Sequence, residues 1–306
     1  MRVVIPGHEP PRLASTADAV YAAFTKSGSG PAACSTRIAR FDVRTGGVVR
    51  SRVLYGGFDL AANEESLWVS GTPVCSGSLR RLARSFLYRL DPRTLAIEAR
   101  IKLPDAPGPM AFASAGLWVG ARRRLYLLDS GTGGVRKVIP VRGDVNELAV
   151  DPTGRFLYVA AWNEANGFVN ERDARSGALL QSARELFGYP ANWLSPTREG
   201  VWVSTATGNF GAAILLRNGN LQRGPLVEAN QGVKASVAAD HLWVQNDGET
   251  LRCLDPASGR IQATVTAPEG GEGLRWFLTN VVGAGRFVFV GGFAGLVRIT
   301  PPQACS

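Results

Sequence analysis

Few residues in this sequence are suited to acid–base chemistry. It contains only two histidines, His8 and His241. Two carboxylates can do the same work when their environments separate their pKa values, and Glu147 and Asp59 each lie at the start of a short apolar run. With His8, these are the residues on which catalysis would depend. There is no G-x-S-x-G elbow and no metal-type or haem-type cysteine spacing, so the sequence predicts neither a metal nor a cofactor.

Arginines cluster in two stretches of the sequence, which the fold predicted below would place on neighbouring loops as one candidate anion-binding patch. A guanidinium fork matches the oxygens of a carboxylate or phosphate, although a solvated, arginine-rich surface in a chain of net charge +9 is the alternative. Aromatic residues that would stack on bases are absent from these stretches, so we expect no nucleic-acid ligand. The residues are Arg80, Arg81, Arg84, Arg122, Arg123 and Arg124.

Other polar and aromatic residues stand at the ends of apolar runs, where loops are expected. A tryptophan beside amide groups suits carbohydrate or peptide contact, and the alternative is that the ring of Trp162 covers a neighbouring sheet. These candidates for ligand contact are Asn146, Trp162, Asn163, Lys234, Arg275 and Trp276.

The elements that must position these residues are repeats of about 40–50 residues, a period typical of propeller blades. The stretch Met110–Val141 contains four short apolar runs separated by turns, and its second run, GLWVGA, contains an aromatic residue. Seven such runs occur along the chain. Their aromatic residues are Tyr21, Trp68, Trp118, Tyr158, Trp202, Trp243 and Phe289.

A second marker follows the third run of most repeats. It is a turn of the form D-x-x-[ST]-G, in which the Asp side chain can accept backbone N–H groups and the Gly adopts a left-handed conformation. The fifth repeat has only a degenerate form, and the seventh has none. The complete or nearly complete copies are Phe41–Gly47, Leu90–Leu95, Leu128–Gly134, Arg172–Gly177 and Leu254–Gly259.

Together these markers predict an all-β fold, a seven-bladed β-propeller of four-stranded antiparallel blades in one domain spanning residues 1–306. The last repeat ends after three runs, so we expect Arg2–Pro6 to supply its outer strand and close the ring. A parallel α/β fold would need helical stretches between the strands, and only Ser78–Ser85 and Asp173–Leu186 could form them.

The pattern LWV, LDPxTG and IPV resembles the streptogramin-lyase and YVTN-type propellers, whose superfamily includes quinoprotein amine dehydrogenase-like β subunits. The resemblance covers almost the whole chain. It implies the fold, and for the lyases a site built from His, Glu and magnesium. His8 lies on the expected face, but His241 precedes its LWV run on the opposite face, so the resemblance does not supply the second histidine of a lyase site.

Long loops on one face are where we expect a binding surface. The predicted fold would place Cys34 and Cys75 in two such loops on adjacent blades. It would place Cys253 at the end of the third strand of blade six, and Cys305 after the third strand of blade seven. We therefore expect disulfides Cys34–Cys75 and Cys253–Cys305 and an exported protein, although no signal peptide is visible. Free thiols in a cytoplasmic protein are the alternative.

Two functions remain open at this point. The first is a non-catalytic, exported, monomeric propeller that binds a partner protein or an anionic polymer or ligand through its long-looped face. The alternative is a lyase- or hydrolase-like enzyme that uses Glu147, Asp59 and His8 at the mouth of the central channel. No apolar run is long enough to span a membrane.

Overall fold

The structure is a computed structural model of the 306-residue chain. It describes residues 2–3, 11–25, 35–55, 57–71, 86–163, 166–184, 191, 193–207, 210–229, 235–245, 250–266, 280–292 and 295–305. Seven sheets of four antiparallel strands make up the fold, which confirms the predicted seven-bladed β-propeller. Among the described residues, no helix has the length and apolar character that a membrane crossing requires.

The first strand, β1 (Arg2–Val3), belongs to the last blade. Blade one contains β2 (Arg12–Ser15), β3 (Ala19–Thr25), β4 (Ser35–Asp42) and β5 (Val48–Tyr55). Blade two contains β6 (Gly57–Ala62), β7 (Leu67–Gly71), β8 (Phe86–Leu90) and β9 (Ile97–Ile101). Blade three contains β10 (Met110–Ala113), β11 (Gly116–Ala121), β12 (Arg124–Leu128) and β13 (Val135–Pro140).

Blades four to seven repeat this order. Blade four contains β14 (Asp144–Val150), β15 (Phe156–Asn163), β16 (Asn166–Asp173) and β17 (Leu179–Arg184). Blade five contains β18 (Trp193–Pro196), β19 (Gly200–Thr207), β20 (Phe210–Arg217) and β21 (Arg223–Ala229). Blade six contains β22 (Ala235–Ala238), β23 (His241–Gln245), β24 (Thr250–Leu254) and β25 (Ile261–Thr266). Blade seven contains β26 (Asn280–Ala284), β27 (Phe287–Gly292) and β28 (Gly295–Ile299).

The blades form a closed ring around their innermost strands. Each innermost strand contacts the next, from β2 through β6, β10, β14, β18 and β22 to β26, and β26 contacts β2 again. The N-terminal strand β1 pairs with β28, with Arg2 opposite Val297 and Val3 opposite Leu296. This confirms that the N-terminus completes blade seven; the rest of the predicted strand, residues 4–6, lies outside the described residues.

The seven marker aromatics form the core between blades. All are at most 2% exposed, and each lies in the second strand of its blade. Several bind the turn of the following blade: the Trp118 indole N–H donates to Ala174 O at 2.8 Å, and the Trp202 indole N–H donates to Pro256 O at 2.8 Å. Each acceptor is the carbonyl of the residue that directly follows the turn's Asp. The aromatic marker of one blade therefore contacts the turn marker of the next blade.

Blade seven meets its neighbours differently. Its marker is Phe289, which has no polar hydrogen to donate, and at this boundary the guanidinium of Arg298 donates to Val43 O in the blade-one turn at 3.3 Å. Blade seven has no D-x-x-[ST]-G turn of its own, and a disulfide between Cys253 and Cys305 ties it to blade six. That predicted pair is confirmed, whereas Cys34 and Cys75 lie outside the described residues.

The turn aspartates are held by their own turns. In blade four, Asp173 accepts the Ser176 hydroxyl at 2.6 Å and the Ser176 backbone N–H at 2.7 Å. These hydrogen bonds favour the ionised form and hold the pKa of the Asp173 carboxyl below its usual value. The same lowering of the pKa occurs at the equivalent aspartates, Asp42, Asp91, Asp129 and Asp255.

These turns predict a loss of stability in acid. A carboxyl whose folded pKa is lowered contributes stability above its unfolded pKa, and loses it as pH falls through the folded pKa. We expect Asp173→Asn to be less stable than the wild type at pH 7, with a deficit that becomes smaller as pH falls below the ordinary Asp pKa of about 3.9. Urea unfolding at several pH values measures this. Asp240→Asn, the same charge change in an exposed turn, is the control, and a deficit for Asp173→Asn that is independent of pH would contradict the prediction.

Candidate functional site

The innermost strands surround a central cavity of about 360 Å³. All seven blades contribute lining residues, because the innermost strands meet around the axis. Asp59 and Glu147, two of the predicted catalytic candidates, line this cavity together with Arg12 of blade one and Met110 of blade three. Blades five to seven add Trp193, Leu194, Ser195, Pro196, Ser236, Val237 and Val281.

A β-bulge aims Glu147 into this cavity. The register of β14 shifts between Val145, which pairs with Ala161, and Glu147, which pairs with Ala160. Asn146 is the extra residue, and a bulge of this kind changes the direction of the next side chain. Asn146 is exposed and is not among the residues that line the cavity.

The charged groups of the cavity have partners. A guanidinium nitrogen of Arg12 lies 3.8 Å from a carboxylate oxygen of Glu147, and these residues come from blades three positions apart in the ring. The Arg12 side chain is 42% exposed and that of Glu147 17%. Asp59 accepts the Met110 backbone N–H at 3.1 Å, which links the inner strands of blades two and three.

Several candidates for this face lie outside the described residues, namely His8, Lys234, Arg275 and Trp276. His241 is the first residue of β23, and its Nδ1 lies 2.7 Å from Ala239 O. In the part of the chain that the structure describes, no three His, Cys, Asp or Glu residues are grouped so that they could hold a metal ion.

The second candidate surface is a groove of about 740 Å³ beside the turn between β11 and β12. Arg122, Arg123 and Arg124 line it together with Asp105 and Asp144. A nitrogen of Arg124 donates to Asp105 at 2.8 Å, and the Tyr126 hydroxyl donates to the same oxygen at 2.9 Å. The groove therefore has both charges, and Arg80, Arg81 and Arg84, predicted to join it, lie outside the described residues.

Backbone bonds hold this arginine turn in place. Val145 N–H donates to Arg122 O and Val141 N–H donates to Arg123 O, both at 2.8 Å. Arg122 has a left-handed backbone, with φ of 49°. The hydrogen bonds of Arg124 with Tyr126 and Asp105, and the charge of Asp105, raise the pKa of the Arg124 guanidinium.

The third candidate surface is a cavity of about 310 Å³ on blade four. Asn163 lines it, as one of the predicted ligand contacts. Trp162 is half-buried and is not among the residues lining this cavity. The remaining lining residues are Arg142, Phe168, Asn170, Arg172, Leu179, Ser182 and Arg184.

Sequence reasoning missed Arg172 and Asn170, the buried polar residues of this cavity. They are 6% and 5% exposed. A signal for Arg172 was present in the turn marker, because the residue before the turn's Asp is Leu or Phe in the other copies and Arg only in RDARSG.

Comparison with known proteins supports the fold and does not identify a family. No family model matches this chain, and no curated protein matches it. Among solved structures, BamB from Moraxella catarrhalis is similar, with a TM-score of 0.59 at 13% sequence identity, over 94% of this chain and 83% of that one. The likeness shows a shared β-propeller fold. The narrower resemblance to streptogramin lyases and YVTN propellers stays a prediction.

Proposed function

We propose that this chain is a non-catalytic binding propeller that receives anionic groups of a partner protein or polymer at the mouth of its central cavity. The observation that carries this proposal is the arrangement of Arg12 and Glu147. Their nitrogen–oxygen distance of 3.8 Å is longer than the 2.7–2.9 Å, approximately, of a charge-assisted hydrogen bond. Arg12 is also 42% exposed, so an incoming carboxylate or phosphate can take over its guanidinium at little cost.

The carboxylates of the cavity support binding over catalysis. General acid–base catalysis needs a titratable group within hydrogen-bond reach of the proton that it transfers, with a pKa near the working pH. Asp59 is instead bonded to the backbone of the neighbouring blade through Met110 N–H, and Glu147 lies beside a cation from another blade. Both contacts suit residues that organise the rim of the channel.

The proposal includes export to an oxidising compartment. Structural disulfides persist outside the reducing cytoplasm, and Cys253 and Cys305 are both completely buried and bonded to one another. From the repeat pattern we expect the long loops of blades one and two to extend the proposed surface on the same face. Arg80, Arg81 and Arg84 belong to the blade-two loop.

Isothermal titration with polyglutamate and with heparin tests the proposal. We expect Arg12→Met to weaken binding by about tenfold, the effect of losing one charge-assisted hydrogen bond. Arg50→Met is the matched control, because Arg50 is exposed on the outer strand of the same blade. Equal affinities for the wild type and Arg12→Met would contradict the role of the cavity, and an Arg80/Arg81/Arg122/Arg123 alanine variant measures the contribution of the loops.

A lyase- or hydrolase-like enzyme is the second candidate, because Glu147 and Asp59 line the same cavity. Glu147→Gln separates the two functions. If the protein binds without reaction, this variant keeps or strengthens its affinity for the anionic probes, since a negative charge beside Arg12 is removed. Turnover of any polymer or ester in a substrate panel that is lost in Glu147→Gln would establish the enzyme instead.

A further inference from the structure

The cavity on blade four is separate from the central axis and lies on the sheet face that is turned towards blade three. Its lining residues Phe168, Asn170 and Arg172 alternate along β16, so they share one face. Phe168 packs with Trp118 and Leu125 of blade three, which identifies that face. The volume of about 310 Å³ is at the lower end of small-molecule pockets, roughly 300–1,000 Å³.

The charge of this cavity is one-sided. Three arginines reach it from three elements: Arg142 from the β13–β14 connection, Arg172 from β16 and Arg184 from β17. Among its described lining residues there is no Asp or Glu. The groove at Arg122–Arg124 differs, because Asp105 and Asp144 line it as well.

Arg172 is the buried member of the three. Arg172 is 6% exposed. Its Nη1 donates a hydrogen bond to Gly177 O at 2.8 Å, and its Nε is buried without a hydrogen-bond partner. Burial lowers the pKa of the Arg172 guanidinium. An incompletely paired guanidinium in this position costs stability, so an anion placed against the part of Arg172 that lines the cavity would be bound favourably.

The neighbouring acid does not neutralise Arg172. Successive residues of a strand point to opposite faces, and Glu171 accordingly faces blade five. There both of its carboxylate oxygens accept the Gly219 backbone N–H, at 3.1 Å each. Glu171 is completely buried, and burial raises the pKa of its carboxyl.

The architecture does not require an arginine at this position. In the other blades that have the turn or its degenerate form, the residue directly before the turn is apolar and at most 1% exposed. Those residues are Phe41, Leu90, Leu128, Leu216 and Leu254. A single departure from the repeat that introduces a buried charge is the kind of local conflict that functional sites show.

We propose that this cavity binds a small molecule with a carboxylate or phosphate group on an apolar body. The anionic group would be bound by the guanidinium of Arg172, with Arg142 and Arg184 at the exposed side. The side-chain amide of Asn170 and the hydroxyl of Ser182 supply further polar atoms on the same face. Phe168 and Leu179 form the apolar wall for the body of the ligand.

Ligand-detected NMR and calorimetry with benzoate, phenyl phosphate and neutral benzamide test this proposal. We expect one or both anions to bind the full chain, and benzamide to bind at least tenfold more weakly. Binding of benzoate alone would identify a carboxylate ligand, and binding of phenyl phosphate alone a phosphate ligand. No binding of either anion up to about 10 mM, a limit that includes very weak ligands, would overturn the proposal.

Variants distinguish binding from a structural role of Arg172. Arg172→Met is expected to weaken anion binding by tenfold or more while the midpoint of thermal unfolding without ligand stays the same or rises, because methionine restores the apolar character of the other blades. Arg175→Met, in the exposed turn of the same blade, makes the same charge change as a control. If Arg172→Met does not fold, the double variant Arg142→Met/Arg184→Met, at two exposed lining residues, is measured in its place. We expect it to bind the anions more weakly than the wild type. Wild-type affinity in these variants would overturn the proposal.

Discussion

Replacing Gly177 with alanine is expected to lower the free energy of unfolding by about 3 kcal/mol. Gly177 ends the blade-four turn in a left-handed conformation, with φ of 72°. A Cβ added there would lie 2.3 Å from Ile139 Cδ1 and 2.6 Å from Cη2 of the Trp118 ring. Both contacts belong to blade three, so the added methyl group would push two blades apart where the Trp118 indole donates to Ala174 O.

Gly154→Ala is the matched control for this experiment. Gly154 lies in the same blade with the same φ of 72°, but an added Cβ would meet nothing within 4 Å. Its substitution should therefore cost only the left-handed backbone term, about 1 kcal/mol. Urea unfolding of both variants measures the difference, which is the packing contribution between blades. Equal losses in the two variants would show that the turn glycine is needed for its backbone alone.

The second large effect is expected from removing the disulfide between blades six and seven. The bond closes a loop of 52 residues, for which the chain-entropy relation gives about 4 kcal/mol. We expect the double variant Cys253→Ala/Cys305→Ala to lose that much of its free energy of unfolding. Urea unfolding of the oxidised wild type and the oxidised variant measures the loss.

Reduction provides the control for the disulfide. Under reducing, denaturing conditions the wild type and the double variant should differ little, because neither has the cross-link in its unfolded state. Counting thiols in the denatured but unreduced protein checks the bond itself, since Cys253 and Cys305 should not react. A double variant as stable as the oxidised wild type would contradict a stabilising role for this bond.

The contact between blades six and seven lacks a hydrogen bond that other blade boundaries have. Blade seven lacks the turn that receives the preceding blade's aromatic residue, and Trp243 of blade six donates instead within its own blade, to Ala238 O at 3.0 Å. The disulfide thus joins the two blades at a boundary without the usual indole–turn hydrogen bond. On the other side of blade seven, Arg298 supplies the bond that Phe289 cannot.

Most of the candidate central site was predictable, because inner strands of a propeller meet at its axis. Arg12, Asp59, Met110 and Glu147 each precede or begin the first apolar run of a blade, and all four line the cavity. The bulge that turns Glu147 inwards and leaves Asn146 exposed could not be predicted, since an extra residue in a strand leaves no distinct mark in the alternation of side chains. The acidic residues beside Arg122–Arg124 could not be predicted either, since Asp105 comes from the β9–β10 connection and Asp144 begins β14.

The sequence alone determined the number of blades, the position of each second-strand aromatic residue and the closure of the ring by the N-terminus. These features follow from local patterns, namely apolar runs, turn chemistry and an incomplete last repeat, and local patterns are visible along the chain. Only the tertiary structure decided which charges meet. The Arg12–Glu147 pair joins blades far apart in sequence, and the opposite facing of Glu171 and Arg172 depends on strand register and blade packing, which are properties of the assembled ring.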